Sequence, residues 1–371
     1  MPYTDPLFGI VIFIAIIAAV AFIDFSRNRY RNKKKEESFK NLTKSYDVMG
    51  HADGVKEFLK LSENPLPTLE FIAHSYIQSG NAQEAIKIYL GILDSLQNPK
   101  DKIEILQSLG IAYYMAGFLQ RAKDIFLEIL KNYPRNPQVL MHLLKTYEHL
   151  SEYKNAIDAL ECIEEIYDVQ KASDFSRSSF TFAPLSVSEQ KRFENMLLLN
   201  KFYLSTLLLI NDHTLPFSSK IQSLNDIKAK QPKLAKIILT YFKSVSHTLF
   251  WEQANALSQD QVNNMIDILW DFERKDVPLE RITNPQILDV YRAKGWIYDE
   301  KACEMFELDN MRILQRYCKF QTTLNFEYRC HSCNNIFPFE NPRCPHCGEL
   351  LCNDLICKIQ KVDYETSYSL L

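Results

Sequence analysis

Leu109-Gly110-Ile111-Ala112-Tyr113-Tyr114-Met115-Ala116-Gly117-Phe118-Leu119-Gln120-Arg121-Ala122-Lys123-Asp124-Ile125-Phe126 reads as one helix, a turn and the start of a second helix. Apolar residues recur at helical spacing on both sides of the turn. Gly117 supplies the backbone angles that a tight turn between helices requires. Gly110 and Ala122 are small where the two helices touch, and large apolar residues are left to fill the space towards the neighbouring pairs.

The same order recurs on either side. Leu69, Ile72, Ala73 and Tyr76 precede Gly80, then Ala85, Tyr89 and Ile92. Leu106 begins and Ile129 and Pro134 complete the central copy. Leu140, Leu143, Leu144 and Tyr147 precede Ser151, then Ala156, Leu160 and Ile163. The second and third copies lie 34 residues apart and the first lies 37 before the second. That period and these residue types are the tetratricopeptide pattern, so the expected fold is mainly α. A helical-repeat solenoid is expected over 45–320, with a partial earlier repeat at 45–61 carrying Val55, Phe58 and Leu59. Lys171–Ser188, rich in Ser and Phe, reads as a loop or insertion.

Beyond it, Leu197, Leu198, Leu204, Leu207 and Leu208 predict an apolar face in 189–209. Lys233–Leu257, Asp260–Arg274 and Pro285–Tyr291 read as degenerate helical hairpins anchored by Trp251, Trp270 and Trp296. Stacked pairs leave a concave, protein-binding face, for which His74, Gln78, Tyr114, His142, Lys145 and His149 are candidates. The histidines read as solvated or hydrogen-bonded side chains.

Leu7 to Ile23 carries no charge over 17 residues. Extended to 7–25, it is long enough to cross a hydrocarbon core of about 30 Å. Met1–Pro6 has no cation, whereas Arg27, Arg29, Arg31, Lys33, Lys34 and Lys35 follow the span. A cleaved leader carries its cations first, so an uncleaved anchor is expected. Positive charge marks the cytoplasmic side, which leaves 1–6 periplasmic and makes 26–44 a basic juxtamembrane linker that also touches anionic lipid.

Cys330-His331-Ser332-Cys333 and, ten residues on, Cys344-Pro345-His346-Cys347 form two Cys-x-x-Cys knuckles. Four such thiolates make a closed tetrahedral site for one metal ion, zinc or iron. All cysteines but Cys162 lie after residue 300, which is unlike a disulfide framework and fits a reducing compartment. Pro345 and Gly348 suit a tight knuckle turn whose amides face the sulfurs, with Arg329 and Arg343 nearby to offset charge. His331 and His346 are expected to point outward. Cys352 and Cys357 could substitute as ligands but are less aptly spaced from Cys347, and Cys162, Cys303 and Cys318 read as packing residues in helices. The metal module is expected over 326–358, followed by a tail at 359–371. So small a unit needs the ion as part of its folding energy.

The net charge of −3 gives no general reason to expect nucleic acid, and no basic stripe with interleaved aromatics is present. There is no GxGxxG, Walker loop, HExxH or GxSxG, and no catalytic or organic-cofactor set can be singled out.

Anchor, helical array and paired knuckles, in this order, resemble the lipopolysaccharide assembly protein B family of Gram-negative bacteria. The likeness is carried by 109–126, by Leu143, Leu144, Tyr147, Ser151-Glu152-Tyr153 and Ala156-Ile157-Asp158, and by Tyr328-Arg329-Cys330 through Cys347. The chain departs from the family pattern in three places: Asn334 stands where a glycine is usual, Pro342-Arg343 where an aromatic is usual, and the stretch Lys171–Ser188 is atypical. The resemblance implies a rubredoxin-like metal domain and a non-enzymatic inner-membrane adaptor, with its bulk in the cytoplasm. It also implies protein partners: the membrane protease FtsH, the deacetylase committed to lipid A, and an inner-membrane lipopolysaccharide sensor. Homo-oligomer formation is left open. The competing reading of the cysteines is a membrane-tethered, rubredoxin-like iron protein that transfers electrons.

Overall fold

The computed structural model describes residues 65–96, 99–172, 186–318 and 321–362, together with Ser26, Arg27, Arg29 and Lys33. The expected anchor at 7–25, most of the linker, the partial repeat at 45–61, most of 171–188 and the tail beyond 362 lie outside them. Among the described residues no helix is long and apolar enough to cross a membrane. The chain divides into two compact units, up to Glu194 and from Asn195 on.

The first unit is a succession of helical hairpins. Helices α1 (Pro65–Gln78) and α2 (Ala82–Ser95), α3 (Pro99–Met115) and α4 (Leu119–Asn132), and α5 (Pro137–His149) and α6 (Tyr153–Ala172) pair in order. Each hairpin turns on a residue with positive φ: Gly80 at 82°, Gly117 at 81° and Ser151 at 60°. Their backbone bonds repeat. Gly117 N–H donates to Tyr114 O at 3.1 Å and Phe118 N–H to Tyr113 O at 2.9 Å, and both other turns make the same pair. This is a Schellman-type stop, which satisfies carbonyls that the helix end leaves open.

The small residues lie where the sequence places them. Ala85, Ala122 and Ala156 are fully buried. A Cβ on Gly110 would meet Phe126 Cε1 at 2.5 Å, so any larger residue between α3 and α4 forces that ring to shift. A continuous apolar core runs from Leu69 to Leu143. Between hairpins, Pro137 fixes the first residue of α5 and Asn136 caps it, accepting from Val139 N–H at 3.1 Å.

The second unit carries most of α7 (Val187–Asn211), then α8 (Phe217–Lys230), α9 (Ala235–Val245), α10 (His247–Ala254), α11 (Gln259–Asn263), α12 (Ile266–Trp270), α13 (Pro285–Ala293) and α14 (Phe306–Tyr317). Three expectations need correction. On α7, Leu198 and Leu208 are exposed; the buried stripe is Leu197, Asn200, Tyr203 and Leu204, because leucine fills more of this helix than its buried face can hold. The segment 233–257 is broken at Ser246, which is extended at φ −157° and caps α10 through Leu249 N–H. The segment 260–274 is broken at Asn264–Met265, and its end is a short 3-10 turn.

Gly295, at φ 71°, ends α13 with the same backbone bonds as the hairpin turns. Trp251 and Tyr291 sit in one aromatic cluster with Phe250, Phe272 and Trp296. Last comes a three-stranded antiparallel sheet, β1 (Thr322–Cys330), β2 (Ile336–Phe337) and β3 (Asn353–Lys361), in the order β2-β1-β3. β1 pairs with β3 along its whole length, from Thr322 opposite Lys361 to Cys330 opposite Asn353. The sheet thus extends past both ends of the expected 326–358 module.

Candidate metal centre

The two knuckles are built alike. Cys330 N–H donates to Asn335 O at 2.9 Å and Asn334 N–H returns to Cys330 O at 2.8 Å; Cys344 N–H donates to Glu349 O at 2.8 Å and Gly348 N–H returns to Cys344 O at 2.9 Å. Closing each loop requires positive φ after the second cysteine, and Asn334 has 58° where Gly348 has 73°. Asparagine tolerates this region best among non-glycine residues, so the departure at 334 leaves the knuckle intact.

This geometry brings the four expected thiols together. Their Sγ atoms all lie within 4.8 Å of one another, an arrangement that could hold a metal ion. Cys330–Cys347 and Cys333–Cys344 are each 3.6 Å apart, close to the edge of about 3.8 Å of a tetrahedron with metal–sulfur bonds of about 2.3 Å. Backbone N–H groups point at the sulfurs: Ser332 and Cys333 at Cys330, Asn335 at Cys333, and Glu349 at Cys347. Burial opposes ionisation of Cys330, but the Cys333 amide and the Cys352 thiol outweigh it and bring its pKa down to about 6. The donor set therefore fits a thiolate-bound ion.

Of the other cysteines, Cys162, Cys303 and Cys318 differ from their sequence reading. Cys352 lies against the cluster, its Sγ 3.3 Å from Cys330 Sγ. Cys357 is buried in β3 opposite Phe326, and burial, then Glu307 and Asp267, push its thiol up to about 12. Cys162 is exposed, not packed. Cys303 lies in the loop before α14 and donates to Asp289 O at 3.5 Å, and Cys318 follows that helix. His331 and His346 are exposed, as expected, and His331 Nε2 contacts Asp354 at 2.8 Å.

The module is joined to helices of its own unit by polar contacts that the spacing of the sequence does not announce. Arg343 donates to Gly348 O at 3.3 Å and to Asn200 Oδ1 on α7 at 2.8 Å. Lys236 on α9 contacts Asp267 at 2.8 Å and Glu340 at 3.0 Å, and lies 5.2 Å from the centre of the Tyr328 ring. Trp270 donates to Thr323 at 3.3 Å, and Gln315 to Thr322 O at 2.8 Å. Asn200 was detectable only as a lone polar residue on a leucine-rich face.

The candidate partner-facing side chains divide. His74 and Gln78 are exposed and 3.4 Å apart, and exposed His149 meets Tyr114 edge-on at 5.4 Å. His142 is half-buried: it stacks on Phe126 at 5.8 Å, and burial, then Lys145, lower its pKa to about 4.

No protein-family model matches the chain. It is similar to lipopolysaccharide assembly protein B of Escherichia coli strain K12, with 24% identity over 163 residues, 41% of this chain and 42% of that protein. The proteins of that name from E. coli O6:H1 (strain CFT073) and O157:H7 match equally, so the chain spans about two fifths of the length of the relatives it matches.

Proposed function

We propose that this chain is a membrane-anchored, non-enzymatic adaptor that regulates lipopolysaccharide biosynthesis. In this reading 7–25 anchors it in a bacterial inner membrane with the bulk of the chain in the cytoplasm. Tetratricopeptide-like hairpins bind protein partners. Cys330, Cys333, Cys344 and Cys347 hold one zinc or iron ion in a rubredoxin-like clip. The partners are those the resemblance implies: FtsH and the lipid A deacetylase, which the adaptor brings together for proteolysis, and an opposing membrane sensor.

The observation that carries this reading is the pairing of a hairpin array with a four-thiol cluster. A site in which the protein supplies every ligand offers a substrate no position, so its role is to hold the module folded. The ion, when bound, supplies that crosslink. The tether raises the effective concentration of the array near membrane partners, so modest affinity suffices. In-cell crosslinking from the array, read by mass spectrometry, should recover a membrane protease and a lipid A enzyme. Recovery of redox partners alone would overturn the reading. Removing 1–25 at constant expression should slow turnover of the deacetylase.

Exposure of Cys347 favours one second reading, an iron centre within electron-transfer reach of the surface. Purified protein would then be red and bleach on reduction; colourless, zinc-loaded protein discards it.

A further inference from the structure

Cys352 is a fifth thiol beside a site that needs four. Its Sγ is nearer to Cys330 Sγ, at 3.3 Å, than either pair of knuckle sulfurs at 3.6 Å. It is buried and packs in one cluster with Cys330 and Cys344, whereas Cys347 is exposed. The backbone is bent to place it there. Leu351 adopts φ 50°, a left-handed conformation unfavourable for a branched side chain. Leu351 N–H donates to Pro342 O at 2.7 Å, and Cys352 O accepts from His331 N–H at 2.8 Å. Both knuckles thus hold Cys352 against the first-knuckle sulfur. A buried thiol set there by strained backbone is more than a filler of space, because strain persists only where its surroundings impose it.

We propose that Cys352 is a spare ligand of this metal centre. When the exposed Cys347 is lost to the ion, Cys352 takes its place, and the set becomes Cys330, Cys333, Cys344 and Cys352. The exchange is neutral in protons: the departing Cys347 thiolate takes one up and the Cys352 thiol gives one to solvent. The proposal rests on the metal-centre reading and goes beyond it, because it makes the four knuckle cysteines unequal. Cys347, the exposed ligand, is the one that has a substitute.

The test loads the full chain with Co(II) and reads metal content and thiolate-to-cobalt absorbance, which grows with the number of bound thiolates. Cys347→Ser should keep one ion per chain with the four-thiolate absorbance of the parent. The double variant Cys347→Ser/Cys352→Ser should lose about a quarter of that absorbance and give up its ion to a chelator at least about tenfold faster. Should the double variant not fold, the parent alkylated at Cys347 with iodoacetamide provides the same reading: retained four-thiolate absorbance supports the exchange. A three-thiolate spectrum, or loss of the ion, in Cys347→Ser or in the alkylated parent overturns it. A parent chain that binds no Co(II) with four-thiolate absorbance defeats the metal-centre reading itself, a result distinguishable from the first.

Discussion

The hydroxyl of Tyr328 on β1 donates to the carboxylate of Asp267 on α12 at 2.7 Å, and Lys236 on α9 contacts the same carboxylate oxygen at 2.8 Å. One acidic group thus binds a strand of the cysteine module and a helix that packs against it. Burial first, then Asp267, push the Tyr328 phenol well above its ordinary pKa, so it remains a donor. Asp267→Ala leaves a buried hydroxyl without its acceptor and the part-buried Lys236 ammonium with Glu340 as its remaining partner. It should cost about 2–3 kcal/mol, against about 1.5 kcal/mol for Tyr328→Phe, which removes one donor to the carboxylate. Chemical denaturation measures the loss. Hydrogen exchange should show it concentrated in β1, α9 and α12.

Gly110→Ala sets two effects against each other. Alanine is the better helix former by about 1 kcal/mol. The new methyl, however, meets the ring of fully buried Phe126 at 2.5 Å, and that ring is stacked on His142. A ring held on both sides cannot yield cheaply, so overpacking wins and the variant should lose about 1–3 kcal/mol. Phe126→Leu in the same chain should restore part of the loss. Stability of Gly110→Ala at or above the parent would show that the helices separate without penalty.

What the sequence discloses divides by the range of the signal. The hairpins were legible because their rules are local: a small residue at the crossing, a left-handed residue at the turn and a fixed period between copies. The four thiols were legible because a knuckle closes within a few residues. Cys352 was legible only as a poorly spaced alternative ligand, since a turn at Leu351 with φ 50° brings it to the cluster and no spacing rule encodes that turn. Asn200 and Arg343 meet across 143 residues, and nothing in either neighbourhood names the other. The interruptions at Ser246 and Asn264 fall in short polar stretches, Ser244–Thr248 and Asn263-Asn264, that the apolar pattern resuming on either side of them masked.

Ser151 does the work of Gly80 and Gly117 with a side chain in the way. Its φ is 60° and its turn makes the same backbone bonds. Its hydroxyl receives only a long contact from Tyr153, at 3.4 Å. Ser151→Gly removes the left-handed penalty of roughly 1–2 kcal/mol, part of which is returned by the greater freedom of the unfolded chain. The net should be a gain of about 0.5–1 kcal/mol, read as a raised midpoint in thermal unfolding, while Ser151→Ala should give none. A loss on Ser151→Gly would mean that the hydroxyl contact outweighs the strain.

His142 predicts how the first unit responds to acid. Its folded pKa of about 4 lies below the ordinary 6.5 because burial, then Lys145, disfavours the cation. Below 6.5 the unfolded chain takes a proton that the folded chain refuses, so stability falls as pH drops from 6.5 towards 4 and levels off beneath. The full span is worth at most about 3 kcal/mol. His142→Phe preserves a ring beside Phe126 and removes the titration. Denaturation midpoints at pH 7 and pH 4.5 should therefore differ less for the variant than for the parent. Equal differences in the two proteins would place the acid sensitivity in the carboxylates and leave His142 without a part in it.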